Sequence, residues 1–465
     1  MTVARRLAAF LNATTVAGLP PPTLDHAAML IASTLASAAC GTNLGSARII
    51  RDLARDGGGR ADASLWFDAG TQLPAAVAAQ VNAVASDAAA SDDSDLRNIV
   101  HAGTPLTAAS LAIAERHGIG GEEVLRAMVL GYEAAGRISG AISPGFRGRG
   151  FHGCLGAIFA ATVASGVLLR LDAECLGQAI ALSATSIGGL ATAADTSVAR
   201  EYHAGLAVLQ GVNGALAAQR GYCGAPAILE ARRGFFEAFG GADGLTAGAA
   251  VLEGLGESWD IVTDMAIKLV PGGHPYHAIA EAAANAARDG HVAAADIDSI
   301  VISRPGMTAL SGPLHPANLI DMAHSPAYFA AAGAADHAFG WEHASAAKIT
   351  DPLIHRLIDL VRMGDPPVAD AARYRQGATA TIRTRDGRAS TSTVYVPKGA
   401  GVLGIAWSDV DAKYRTLMPN SGLAPDAIED SLALIHRFRQ VANVSGLTTL
   451  LRKPAMGTNQ PASRM

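Results

Sequence analysis

From Gly153 to Leu169 the chain reads GCLGAIFAATVASGVLL and carries no charged residue. A run apolar on every side has no place on a solvated surface, so the fold must enclose it. It is shorter than a typical membrane span and consists largely of Gly, Ala and Ser, which partition weakly into lipid. It therefore reads as a helix inside a protein core. Gly153, Gly156, Ala160, Ala161 and Ala164 recur at three- and four-residue spacing, which lets neighbouring helix backbones approach closely. Composition extends this constraint to the whole chain. Half of the residues are hydrophobic but only 5% are aromatic, which favours closely packed helices over a β-sandwich. At 465 residues one hydrophobic core is not enough, and two domains are expected.

Between about residues 23 and 262 the sequence reads as successive helices. HAAMLIASTLASAACG and PLTAASLAIAERHG each close on glycine after an apolar run. GEEVLRAMVLGYEAAGRISGAI opens with acids, as the helix dipole favours. The opening MTVARRLAAFLNATTVAGLPPP is interrupted by Asn12, Thr14 and Thr15 and lacks a cleavage site. It is expected to form an amphipathic helix ended by the prolines at 20–22, not a signal peptide. After Lys268 the character changes. IDSIVISRP is a β-type run, and ATATIRTRDGRASTSTVYVPKG alternates and turns at Asp386-Gly387. With helices expected over AYFAAAGAADHAFG and ITDPLIHRLIDL, residues 265–401 form a smaller α+β unit. SDVDAKYRTLMP and DAIEDSLALIHRFRQVAN return to helix, and the tail LRKPAMGTNQPASRM reads as disordered. The glycine-rich GFRGRGFHG follows no strand pattern, so it is not a nucleotide-binding fingerprint.

The net charge of −5 and the absence of a polybasic stretch argue against nucleic acid or an anionic membrane as partner. Cys40, Cys154, Cys175 and Cys223 form no CxxC pair. Cysteine ligation of zinc or iron–sulfur is thus not expected, and a reduced, cytoplasmic compartment is.

Several segments, in order, resemble the MmgE/PrpD family, which includes 2-methylcitrate dehydratases, cis-aconitate decarboxylases and iminodisuccinate epimerases. They are Asp92-Asp93-Ser94 with Val100-His101-Ala102-Gly103, then AMVLGYEAAGRI, Phe151-His152-Gly153, LLRLDAE and a Ser-rich helix SATSIGGLAT. Arg200-Glu201-Tyr202-His203-Ala204-Gly205, KLVPGGHPYH (Lys268 to His277), MAHSPAYFAAAGA, VYVPKGAG and AKYRTLM follow. The resemblance implies a mainly α protein. Its large helical domain would be built from residues 1–264 and 402–465, with the α+β domain 265–401 between them. It also implies a homodimer and an interdomain active site that needs no metal or other cofactor. Three positions depart from the family pattern: Ala90 in place of aspartate, Arg200 in place of lysine, and the additional His274.

Dehydration, decarboxylation and epimerisation of such acids all build negative charge beside a carboxylate while a proton moves at carbon. They need cations for the carboxylates and an acid/base titrating near neutrality. His101, His152, Lys268 and Asp93 are the expected catalytic residues; Arg200, His203, His274 and His277 are expected to bind substrate. Each has a plainer alternative. His101 and His152 suit helix starts, and Lys268 a snorkelling surface lysine. Arg200 and His203 could pair with Glu201, one of His274 and His277 could be structural, and Asp92 and Asp93 suit a solvated turn or N-cap. His274 and His277 lack HExxH metal spacing. The function expected is a cofactor-independent lyase, a dehydratase or decarboxylase of a small di- or tricarboxylic acid. An epimerase or isomerase, or a paralogue that binds carboxylates without turnover, is the alternative.

Overall fold

Glycine and alanine decide how closely the helices of this protein lie. The computed structural model describes residues 1–453; residues 454–465, most of the tail expected to be disordered, lie outside the described residues. The uncharged run forms helix Cys154–Leu168, buried along its whole length. It packs against Gly103–His117, Gly121–Ile142 and Ala199–Gln219. At two of these crossings the spacing leaves no room for a side chain. A Cβ on Gly131 would lie 2.6 Å from the Ala160 carbonyl oxygen, and one on Gly211 2.9 Å from that of Ile158. Overpacking such a contact costs about 1–3 kcal/mol.

One hydrophobic cluster draws on residues from Val3 to Ile267 and again from Ile405 to Leu451; a second draws on Ala278 to Val394. Chain return is made by helix Trp407–Leu417, which packs on helix Pro21–Gly41. Among the described residues, only Pro21–Gly41 is long and apolar enough to cross a membrane, and 89% of its apolar window is buried inside the protein.

Four differences from the sequence expectation have physical causes. The prolines at 20–22 do not end the first helix, which stops at Ala13; they open the second, with Pro21 at its first position, where a missing N–H costs nothing. Segment 183–192 is not one helix. Helix Ala173–Ala184 ends, residues 185–190 run as a loop through Gly188 and Gly189, and a short helix, Ala191–Thr196, follows. The region before Lys268 also contains strands. Ala63–Ser64 pairs with Gln72–Leu73, and β1 (Asp93–Asp95) pairs antiparallel with β2 (Met265–Ile267). Aspartate and serine have no strand preference, so the partner strand imposes β1. Leu451, expected in the tail, follows helix Ser445–Leu450 and is buried.

The smaller sheet contains β3 (Ile297–Ser303), β4 (Val361–Met363), β5 (Ala378–Thr384) and β6 (Ala389–Val394), in the order β4-β3-β5-β6. Only β3 and β4 run parallel. The β5–β6 hairpin turns at Asp386-Gly387, where Gly387 takes φ +87°. Helix His277–Asp289 covers the sheet and packs on helix Pro326–Asp336.

Candidate active site

The β1–β2 register pairs Asp93 with Ile267. One step further out, it sets Asp92 opposite Lys268, and Lys268 Nζ donates to Asp92 Oδ1 at 2.7 Å with both side chains 1% exposed. A strand of three residues thus brings together two charges separated by 176 positions. The other Asp92 oxygen, Oδ2, lies 2.9 Å from His101 Nδ1, which is also 2.7 Å from the Asp93 carbonyl oxygen. Both of these neighbours are acceptors, so Nδ1 is the nitrogen that donates. Burial alone would raise the Asp92 carboxyl, but His101 and Lys268 outweigh it and hold the group well below the usual range.

Arg200, in the first turn of helix Ala199–Gln219, does not pair with Glu201. Its Nε lies 3.0 Å from Asp87 Oδ2, and its NH2 donates to the Asp87 carbonyl. Glu201 instead accepts from Ser46 Oγ at 2.8 Å. Burial pushes the Asp87 carboxyl up, against the pull of Arg200.

His101, His152, Arg200, Lys268 and His274 line one cleft of about 350 Å³, as do Ile99, Arg147, Tyr276, Asp195 and His324. The other three sequence candidates sit behind its surface. Asp93 is no solvated turn: it is buried, its Oδ1 accepts from Gly103 N–H at 2.9 Å and its Oδ2 from Tyr132 O–H at 3.2 Å. Burial and the neighbouring Asp92 push Asp93 up to about 7. It anchors the helix that follows His101. His203 backs His152, Nδ1 to Nδ1 at 3.3 Å, so one ring donates and the other accepts. Burial, reinforced by His101 and His203, drives His152 well below the usual imidazole value. His152 precedes helix Cys154–Leu168 without capping it, and its N–H donates to the Gly189 carbonyl.

His274 and His277 flank a single 3-10 turn with ring centroids 4.5 Å apart. Both are buried; among the described residues neither His274 nitrogen has a hydrogen-bond partner, nor does His277 Nε2. Burial lowers both, His277 to about 3 with help from Lys268. His277 faces a separate cavity with Leu269, Glu281, Arg288 and Phe339.

Sequence reasoning overlooked Asp87, and it preferred Asp93 to Asp92 because a dyad is defined only by what each carboxylate touches. It also passed over Lys413, a fully enclosed lysine that donates to Ser33 Oγ at 2.8 Å and to the Ser91 carbonyl. Lys413 braces the residue just before Asp92, and burial brings it down to about 7. Arg147 is visible in the sequence only as a charge among the glycines of GFRGRG. Ala90, where the resemblance expects aspartate, takes φ +51° and its carbonyl accepts from Gly272 N–H at 2.9 Å. It offers the site no polar side chain.

Among the described residues, two groups of side chains have metal-ligand spacing, with ligand atoms within 4.8 Å: His152, Cys154 and His203, and Asp87, Asp92 and His101. In the second, Arg200 and Lys268 already supply the positive charge. In the first, burial holds the Cys154 thiol protonated, up to about 12, and an ion would have to displace that proton.

No curated protein shows significant sequence similarity to the chain. Residues 5–247 match the MmgE/PrpD N-terminal domain and residues 271–432 the MmgE/PrpD C-terminal domain. The chain therefore belongs to the MmgE/PrpD family, whose members are generally dehydratases and other lyases acting on carboxylic acids.

Proposed function

We propose that this protein is a cofactor-independent lyase that removes water or CO₂ from a small di- or tricarboxylic acid, with His101 as the proton-transferring residue. The observation that carries this reading is the Asp92–His101 contact: Nδ1 lies 2.9 Å from Asp92 Oδ2 and bonds to the Asp93 carbonyl, in a residue that lines the cleft beside Lys268 and Arg200. With Nδ1 directed at the Asp93 carbonyl, Nε2 is the nitrogen left to take a proton from the carbon next to a carboxylate, while the hydroxyl of the neighbouring carbon leaves, protonated, as water. The imidazolium then formed is stabilised by the ionised Asp92, as a buried carboxylate does for a catalytic histidine. In decarboxylation Nε2 instead delivers a proton to the carbanion left by departing CO₂. Lys268 retains N–H donors beyond the one given to Asp92 and is placed to bind the carboxylate whose charge grows in the enolate-like intermediate. Arg200 presents a planar fork where relatives of this type carry a point charge. His152, neutral at pH 7 because burial drives it down, acts as a hydrogen-bonding partner or weak base and not as a resident cation.

A second reading, epimerisation or isomerisation, draws on His274. It lines the same cleft from the α+β side with both ring nitrogens unpartnered, so it supplies a second acid/base to return the proton. Proton NMR in D₂O on a panel of di- and tricarboxylates separates the readings. Loss of water or CO₂ is expected; deuterium uptake without mass loss would favour the second reading, and saturable binding without turnover would make the protein a non-catalytic paralogue.

A further inference from the structure

The cleft cations are not equally free to receive a ligand. Lys268 is tied to Asp92 and Arg200 to Asp87, and both side chains are largely enclosed. Arg147 differs. It lines the cleft and is solvent-accessible, and among the described residues no carboxylate lies within ion-pair distance of it. Its NH2 donates to one neutral acceptor, the Ile99 carbonyl, at 3.3 Å, so most of the guanidinium fork is unspent. Of the two acids on the cleft wall, Asp195 attracts the guanidinium only from beyond ion-pair distance, and Asp321 is engaged elsewhere. Asp195 Oδ1 lies 3.7 Å from His324 Nε2, and Asp321 Oδ2 accepts from Ala317 N–H and Asn318 Nδ2.

A second observation points to the same place. Ile99, which lines the cleft next to Arg147, takes φ +54°. A β-branched residue in the left-handed region is strained by about 1–3 kcal/mol, and such strain collects at ligand-binding sites. The backbone of Ile99, whose carbonyl accepts from Arg147, leads directly through Val100 to His101. The strained residue therefore ties the free arginine to the proton-transferring histidine.

We propose that Arg147 forms a second carboxylate subsite, which grips a carboxylate remote from the reacting carbon and restricts the substrate to acids with at least two carboxylates. This inference rests on the proposed function and assigns a specificity-determining residue to the same cleft. Titration calorimetry with tricarballylate and with butyrate, at fixed ionic strength, tests it. Wild-type protein is expected to bind the tricarboxylate at least about tenfold tighter than the monocarboxylate, the worth of one charge-assisted pair. Arg147→Gln should erase that margin and leave butyrate unchanged. Arg147→Lys keeps the charge and should restore most of it, which separates lost charge from lost fold. Arg149→Gln, on the same loop with its guanidinium turned to the Ala238 carbonyl, should match wild type. If Arg147→Gln binds tricarballylate as wild type does, the subsite is overturned while the carboxylate-binding site stands. If wild type binds neither acid, both fall.

Discussion

The two walls of the cleft are built on opposite principles. Around Asp92 and Asp87 the charged groups meet partners before substrate arrives: Lys268 and His101 meet Asp92, and Arg200 meets Asp87. On the α+β side His274 is as deeply buried, yet both its nitrogens are unsatisfied. Buried polar groups are seldom left so, and each that is calls for a ligand or solvent partner. A wall whose charges are already fixed costs no reorganisation when charge develops in the transition state. A wall with unspent hydrogen bonds gains only when something fills it. The difference assigns the chemistry to the groups already paired and recognition to those with unspent hydrogen bonds, His274 and Arg147.

The sharpest way to break that division is to exchange histidines. His101→Gln is expected to lower kcat by about a hundredfold or more while KM stays within a few-fold. His274→Gln should act chiefly on KM. Steady-state kinetics on the substrate identified by NMR gives both; an equal fall in kcat for the two variants would abolish the contrast and favour the two-histidine epimerase.

Stability should show the same asymmetry on a smaller scale. Lys268→Met leaves Asp92 buried without its cation and should cost about 3–5 kcal/mol in urea unfolding. Removing the unpartnered His274 should cost far less, because no hydrogen bond is lost with it. Equal losses would mean that His274 has a partner in solution.

A further test of the same contrast lies in acid. The folded-state values of His274 and His277 lie below the ordinary imidazole value, His277 at about 3, so falling pH protonates the unfolded chain first. The stability they contribute is present above about pH 6.5 and is lost as pH drops toward 3, at up to about 1.4 kcal/mol per pH unit per group. Asp93 works the other way: raised to about 7, it adds stability in acid that is lost as pH rises through 7. The melting temperature should therefore peak near neutrality and fall below pH 6. His277→Asn should flatten the acid limb; an unchanged limb would show that His277 titrates normally.

Much of the fold was legible because it depends on local rules. An uncharged run must be buried, a glycine after an apolar run ends a helix, and Asp-Gly between alternating segments turns a hairpin. All three hold at Cys154–Leu168, at Gly118 after helix Gly103–His117, and at Gly387. Where the rules were ambiguous, the expectation failed in an instructive way. Proline both ends and begins helices, and at residues 20–22 only the packing of Pro21–Gly41 decided which.

By itself the sequence determined the helical character, the later α+β segment, the family, and the set of histidines and cations from which the site is drawn. Those follow from composition, periodicity and ordered motifs, all properties of neighbours along the chain. The tertiary structure alone decided which of two adjacent aspartates holds His101, that Arg200 answers Asp87 and not Glu201, and that His277 turns away from the cleft His274 lines. Each of these depends on residues far apart in sequence, 176 positions for Asp92 and Lys268 and 113 for Arg200 and Asp87. A one-residue step along a strand reverses the direction of a side chain, so residue type alone cannot tell Asp92 from Asp93; the β1–β2 register can.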